Sequence, residues 1–400
     1  MRAFTSLVAA ACVCFGLDGV AAAQHSATGV RIAVMNDQSG QYNSATGPGA
    51  VVAARMATED FSGSVLGKPI EVIALDHQNK PDIGLSLARS FYDRDGGDAI
   101  FDIGNSAISL GVQELARQKR KIVVHVGSIH PDLFGKACSP TGAMWQYDSG
   151  ALTKGLVKAV FAEGGTDWFL IAVDYTAGKA LADDETKILT SIGGKVVGSV
   201  RHPLGTQDFA SQLLTAASSG AGVLGLASFG GDAENLVKQA HEFNLNLRIA
   251  APLLTIADIK ALGPESAHGL LYTSAFYWDR DDPAREFGKR FAPRFGGKMP
   301  TEGQAATYSA VAHYLKAIAA AGTDDGPTVM RKMKELPVND FFAHGARLRE
   351  DGRLMNDLYL VEAKSKDEIK SEWDLLKTHA VLKAEDIIRP MGEGQCQMPQ

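Results

Sequence analysis

Short, continuous apolar runs rich in β-branched residues recur along this chain, and amphipathic stretches of helical length separate them. The runs fall at 30–35, 70–76, 99–103, 122–126, 168–173, 195–201, 223–227 and 270–274. Between them lie helix-like segments at 48–61, 82–92, 108–118, 152–163, 179–191, 209–218 and 233–243. Continuous apolar strands spaced by helices form βαβ units, whose parallel sheets are buried on both faces. The chain is therefore expected to be α/β and doubly wound. The rhythm breaks twice, at "AMWQYDSG" (143–150) and at "AFYWDRDDPAREF" after residue 274, beyond which helices resume at 283–291, 304–321 and 327–335. Such breaks predict crossings between two lobes.

The first residues stand apart from this pattern. Arg2, a short apolar run and the Ala21-Ala22-Ala23 triplet have the layout of a secretory leader, cleaved near Ala23. About 375 residues then remain, enough for two domains. With 45% hydrophobic residues the chain can build real cores, and a formal charge of −6 argues against nucleic acid or an anionic membrane as the main partner. Cys138 and Cys396 survive cleavage. In an oxidising compartment the two can pair, and we expect that disulfide, with two isolated thiols as the alternative.

Ligands of doubly wound sheets bind beyond the carboxyl ends of the strands. The loops at 37–47, 104–107, 127–131, 174–178 and 228–232 all lie at such ends. Gly47-Pro48-Gly49 lacks the third glycine of a dinucleotide fingerprint, and no phosphate-cradling G-x-x-x-x-G-K-[ST] string occurs. G-x-S-x-G is absent, and His241-Glu242 has no second histidine. His125 and His130 read as hydrogen-bonded histidines, so no metal, cofactor or catalytic residue is expected. What remains is Asn105, Ser106 and Ser128 at strand ends, facing Tyr42, Tyr175, Phe229, Leu253 and Leu254. A polar wall opposite an apolar wall suits a small amphipathic anion. Within the first loop, Tyr42 is the residue expected to cover the ligand.

From about residue 29 to 363 the chain resembles the periplasmic substrate-binding proteins of ABC transporters, in the branched-chain amino acid group. The strings that carry the resemblance are "SGQYNSATGPGAVVAARMATED", "GSIHPDLFG", "VDYTAGKAL" and "YWDRDDPAREF", in that order. The resemblance implies the type I periplasmic binding fold, two Rossmann-like lobes joined by a three-crossover hinge near 147–150, 275–278 and 341–346. The lobes would be 28–146 plus 278–342, and 147–277 plus 343–385, with 386–400 as a tail. It implies a monomer in the periplasm that binds a small molecule, docks on a permease and catalyses nothing.

The family's carboxylate-holding positions fall on Asn105 with Ser106, and on Ser128 with Ile129, where threonine is usual in place of Ile129. The family's ammonium-pairing glutamate falls in "AAPLLTIAD", at Leu253 or Leu254. Its aromatic lid falls on Ala177, which Tyr175 could replace, and Phe229 matches the other aromatic wall. An unpaired buried ammonium costs several kcal/mol. A hydrophobic carboxylate, aromatic by preference, is therefore expected unless Asp174 or Asp232 reaches the cleft. A branched-chain amino acid binder is the alternative, and a sensing domain or an exported hydrolase the more distant ones.

Overall fold

The structure is a computed structural model that describes residues 29–398. The expected leader, 1–23, lies outside the described residues. The first half of the chain runs β1 (Val30–Asn36), α1 (Gly47–Asp60), β2 (Ser64–Val65), β3 (Lys68–Asp76), α2 (Pro81–Asp93), β4 (Ala99–Asp102), α3 (Ser106–Lys119), β5 (Ile122–His125) and β6 (Gly142–Met144). Their sheet has the order β2-β3-β1-β4-β5-β6 and is parallel apart from β2. Strands β4 (AIFD) and β5 (IVVH) are buried along their whole length, as expected for strands covered by helices on both faces.

The second series is α4 (Ser149–Ala162), β7 (Asp167–Val173), α5 (Thr176–Ser191), β8 (Lys195–His202), α6 (Ala210–Ser218), β9 (Val223–Ala227), α7 (Gly230–Glu242), β10 (Arg248–Ala250), α8 (Ile256–Ala267) and β11 (Leu271–Ser274). Helices α9 (Asp282–Phe291), α10 (Glu302–Ala321) and α11 (Gly326–Glu335) then return to the first sheet. There Tyr314 of α10 packs edge-on against Phe101 of β4, centroids 5.5 Å apart. Helix α10 starts with a reciprocal cap between Thr301 and Gln304 and stops at the left-handed Gly322.

A hairpin, β12 (Arg347–Leu348) with β13 (Leu354–Met355), packs on α11 and bridges β6 through Met144 and Arg353. Strands β14 (Leu358–Ala363) and β15 (Leu376–Leu382) then join the second sheet as antiparallel edge strands, order β15-β14-β11-β10-β9-β7-β8. The short α12 (Ala384–Ile387) lies on α4. The chain thus passes between sheets after β6, after β11 and after β13. The last passage follows the hairpin, so it falls later than the expected 341–346. Cys138 and Cys396 are joined as a disulfide, with Cα atoms 5.6 Å apart.

Candidate functional site

The carboxyl ends of both sheets' parallel strands face each other across one cavity of about 60 Å³. On the first-lobe side it is lined by the β1–α1 loop (Tyr42, Thr46), the turn after β4 (Gly104, Ser106) and the turn after β5 (Gly127, Ile129). On the other side stand Tyr175 and Ala177 after β7, Phe229 after β9, and Leu253, Thr255 and Asp258 after β10. Tyr147 closes the hinge end. Helices α3, α5, α7 and α8 all begin at this cavity, so their N-terminal dipoles give it a bias toward anions.

Local chemistry explains each placement. The Asp37 carboxylate accepts from the backbone N–H of Gly40 (2.9 Å) and of Tyr42 (3.0 Å), which curls the loop so that the Tyr42 ring points inward. The Tyr42 hydroxyl then meets the Tyr175 hydroxyl at 3.1 Å across the cleft, and both rings stand edge-on to Phe229, centroids 6.4 Å apart. Burial raises the hydroxyl pKa of both tyrosines, so both stay neutral. Gln41 Nε2 donates to Asp232 Oδ1 at 2.9 Å, a second bond between lobes. Gly230 sits at φ 52°, and a Cβ there would come within 2.9 Å of the Gln41 carbonyl oxygen. The lobes touch here, which describes a closed cleft.

The polar wall is strained backbone over a buried acid. Asp102 and Ile103 lie at φ 79° and 57°, a conformation costly for a β-branched residue. It is held by Val126 N–H donating to Asp102 O (2.9 Å) and Ile103 N–H donating to Met35 O (2.8 Å). The Asp102 side chain lies beneath Gly127, where an added Cβ would come 2.9 Å from Oδ1. Asn36 Nδ2 donates to its Oδ2 at 2.7 Å, yet burial still pushes the carboxyl up to about 7.

Folded Asp102 thus holds its proton to higher pH than the unfolded chain, so its contribution to stability is full below the unfolded value near 4. That contribution falls as pH rises, by about 1.4 kcal/mol per unit, until the folded value is passed. Asp102→Asn should therefore gain on the native protein between about pH 4 and 7 and hold a constant advantage above. Denaturant titrations across that range check this; a pH-independent gap would refute it.

Of the residues expected from sequence, Tyr42, Ser106, Ile129, Tyr175, Ala177, Phe229 and Leu253 line the cavity. Ser128 stands behind Ser106 and donates to its Oγ at 3.2 Å, which leaves the Ser106 hydrogen free for the cavity. Asn105 is turned to a different task. Its Oδ1 caps α3 by accepting from Ala107 N (2.9 Å) and Ile108 N (3.1 Å), and its Nδ2 donates to Asn79 at 2.6 Å. Leu254 points into the second lobe's core. His125 is buried against Gln113 at 2.9 Å and held neutral, its pKa lowered to about 3 by burial, while His130 Nδ1 accepts from Asp132 N.

The acids stand differently from expectation. Asp174 is exposed and pairs with Arg201 at 3.3 Å, and Asp232 is buried among Gln41, Gly205 N–H and His202. Neither lines the cavity; Asp258 does. Sequence reading passed over α8 because Gly263-Pro264 interrupts it. The readable signal was the capping box: Thr255 Oγ1 accepts from Asp258 N while Asp258 Oδ2 accepts from Thr255 N (2.7 Å).

Two doubly wound lobes closed over a small cavity form a ligand-sized cleft. A family model described as periplasmic binding protein matches residues 29–368, and the chain belongs to that family. A periplasmic binding protein of Burkholderia mallei is 41% identical, with a TM-score of 0.90 over 93% of this chain and 99% of its own. A branched chain amino acid ABC transporter periplasmic ligand-binding protein of Burkholderia xenovorans is 37% identical, with a TM-score of 0.82 over 92% of this chain and 99% of its own. An R. palustris ABC transporter solute-binding protein, solved in complex with benzoate, shares the fold at 16% identity, with a TM-score of 0.81 over 89% of this chain and 96% of its own. No protein of curated function matches the chain. Substrate-binding proteins of ABC transporters bind small ligands in the periplasm and interact with permeases, and the family consists of transport components rather than enzymes. No described helix is long and apolar enough to cross a membrane.

Proposed function

We propose that this protein captures a small hydrophobic carboxylate, an aromatic acid first, and as a monomer delivers it to the permease of an ABC importer. The observation that carries this reading is the two-faced cavity. Ser106 and the N-terminus of α3 stand on one side, and Tyr42, Tyr175 and Phe229 on the other. The N-terminal dipole and the free Ser106 hydroxyl suit a carboxylate without a formal cation. Three rings and the Ile129 and Leu253 side chains suit an apolar body. The R. palustris protein's benzoate belongs to this class of ligand, while the name of the Burkholderia xenovorans relative supports the second reading below.

Size adds a condition. An engineered cavity that binds benzene measures roughly 150 Å³, and the closed cleft has about 60 Å³. A ring-bearing acid therefore has to part the Tyr42–Tyr175 contact, holding the lobes a little wider than they stand here. A branched-chain amino acid is the second reading, because Asp258 puts a carboxylate in the wall.

A thermal-shift panel of benzoates, phenylpropanoids, keto acids and branched amino acids tests the assignment. Ligand at a hundred times Kd should add about 2.7 kcal/mol of stability. Shifts with leucine or valine and with no other acid would reject the hydrophobic-acid reading. Tyr42→Ala removes an aromatic wall, about 1.5–3 kcal/mol of burial, and should weaken the best ligand roughly 10- to 100-fold. Unchanged affinity by calorimetry would take Tyr42 out of the site.

A further inference from the structure

We propose that Asp258 is the specificity-determining acceptor of the cleft, selecting carboxylic acids that bring a second, hydrogen-bond-donating group, hydroxyl or ammonium. The inference rests on the ligand-capture reading above and adds what the ligand must carry. Asp258 lines the cavity and is 1% exposed. Its two oxygens are not equivalent. Oδ2 is spent on the cap of α8, accepting from Thr255 N (2.7 Å) and Thr255 Oγ1 (2.8 Å). Oδ1 receives no hydrogen bond from an amide, hydroxyl or cationic donor among the described residues.

A buried carboxylate oxygen without a donor is costly, and native structures rarely leave one without a reason. The group that reaches Asp258 from the protein is itself an acid. Glu234 of α7 shares a side-chain hydrogen bond with Asp258, and burial, the Asp258 charge and that bond raise its own pKa to about 7, with Lys238 turned toward it at 3.8 Å. Glu302, at the start of α10, is a further buried acid acting on the same region, raised by burial to about 8. The phenols of Tyr147 and Tyr272 feel both Asp258 and Glu302. Acids thus outnumber donors on this wall, opposite a wall that favours the ligand's carboxylate. A bare hydrophobic acid would leave Asp258 and Glu234 to share one proton; a ligand donor would satisfy the second carboxyl of the pair.

The position is also separate from the loop where the family's glutamate would fall. Leu253 and Leu254 occupy that loop, and Leu254 is in the core. Asp258 instead stands in the first turn of the following helix, where the capping box fixes its rotamer. A side chain locked by its own cap is pre-organised to discriminate.

Matched acids test this directly. Calorimetry would compare 4-methylpentanoate with its 2-hydroxy analogue and with leucine, and benzoate with 4-hydroxybenzoate, on the native protein and on Asp258→Asn. A donor-bearing acid should bind about tenfold or more tighter than its bare parent, since a polar site rejects the analogue that leaves it unpaired. Asp258→Asn, which keeps the side chain's shape, should shrink that preference by a similar factor. The native ranking needs no variant, so misfolding of the variant would not rescue or sink the idea. Bare acids binding as tightly as their donor-bearing partners would overturn the role of Asp258 while leaving ligand capture intact. Failure of every acid on the panel to bind would overturn both.

Discussion

Arg353→Ala is expected to lower the free energy of unfolding by about 3–5 kcal/mol, because it strands a buried carboxylate at the hinge. Arg353 is 0% exposed, and its Nε faces Asp148 Oδ2 at 3.4 Å, itself buried. The guanidinium also lies 5.9 Å from the Phe134 ring centroid, and burial pulls its pKa down. Asp148 serves two masters: Oδ1 caps α4 through Gly150 N (3.1 Å) and Ala151 N (3.2 Å), while Oδ2 takes the arginine. The two residues belong to two different crossings, one after β6 and one at the β12–β13 hairpin, where Met144 N–H also donates to Gly352 O at 2.8 Å. Removing the cation therefore loosens both crossings at once. A cycle of Arg353→Met, Asp148→Asn and the pair isolates the coupling. The double variant should recover part of the loss, since two apolar or neutral groups leave no bare charge. A single-variant loss under about 1 kcal/mol, or strict additivity, would refute the assignment.

The same hinge shows where sequence was legible. Strands such as 223–227 were readable to the residue because a short, uncharged, apolar run between helices has few other fates. Strand β10 was missed because only Arg248–Ala250 pair, too short for any periodicity, and β14–β15 because their antiparallel edge position breaks the βαβ rhythm. The cavity's aromatic wall was legible from Tyr42, Tyr175 and Phe229 at strand ends, since strand ends are where such sheets place ligands. The division of labour between neighbours was not. Nothing in "GNS" says that Asn105 will cap a helix while Ser106 faces the cavity; that depends on the helix starting at Ser106. Asp258 was the costly omission, hidden in a helix that a Gly-Pro step disguises.

Removing the disulfide with Cys138→Ala and Cys396→Ala should cost about 2–5 kcal/mol of stability. The bond closes a loop with a sequence separation of 258, and the chain-entropy relation places the upper limit at about 5.6 kcal/mol for a loop that long. Its position makes that limit approachable. The tail leaves α12, which lies on α4 of the second lobe, and ends at Cys396 bonded to Cys138 beside the Pro131–Phe134 turn of the first. Along the way Arg389 donates to the Pro131 carbonyl and covers Phe134, with its Cζ 4.3 Å from the ring centroid. Arg349 Nη1 donates to the Arg389 carbonyl at 2.9 Å, tying the tail to the β12–β13 hairpin. These contacts support the tail's native geometry alongside the sulfurs, so the bond is expected to act mainly on the unfolded chain. The denaturant midpoint should drop in the double alanine variant, and a thiol reductant should lower the midpoint of the native protein but not that of the variant. A native midpoint indifferent to both the substitutions and the reductant would show that the arginine contacts alone hold the tail, and that the disulfide contributes nothing to folding.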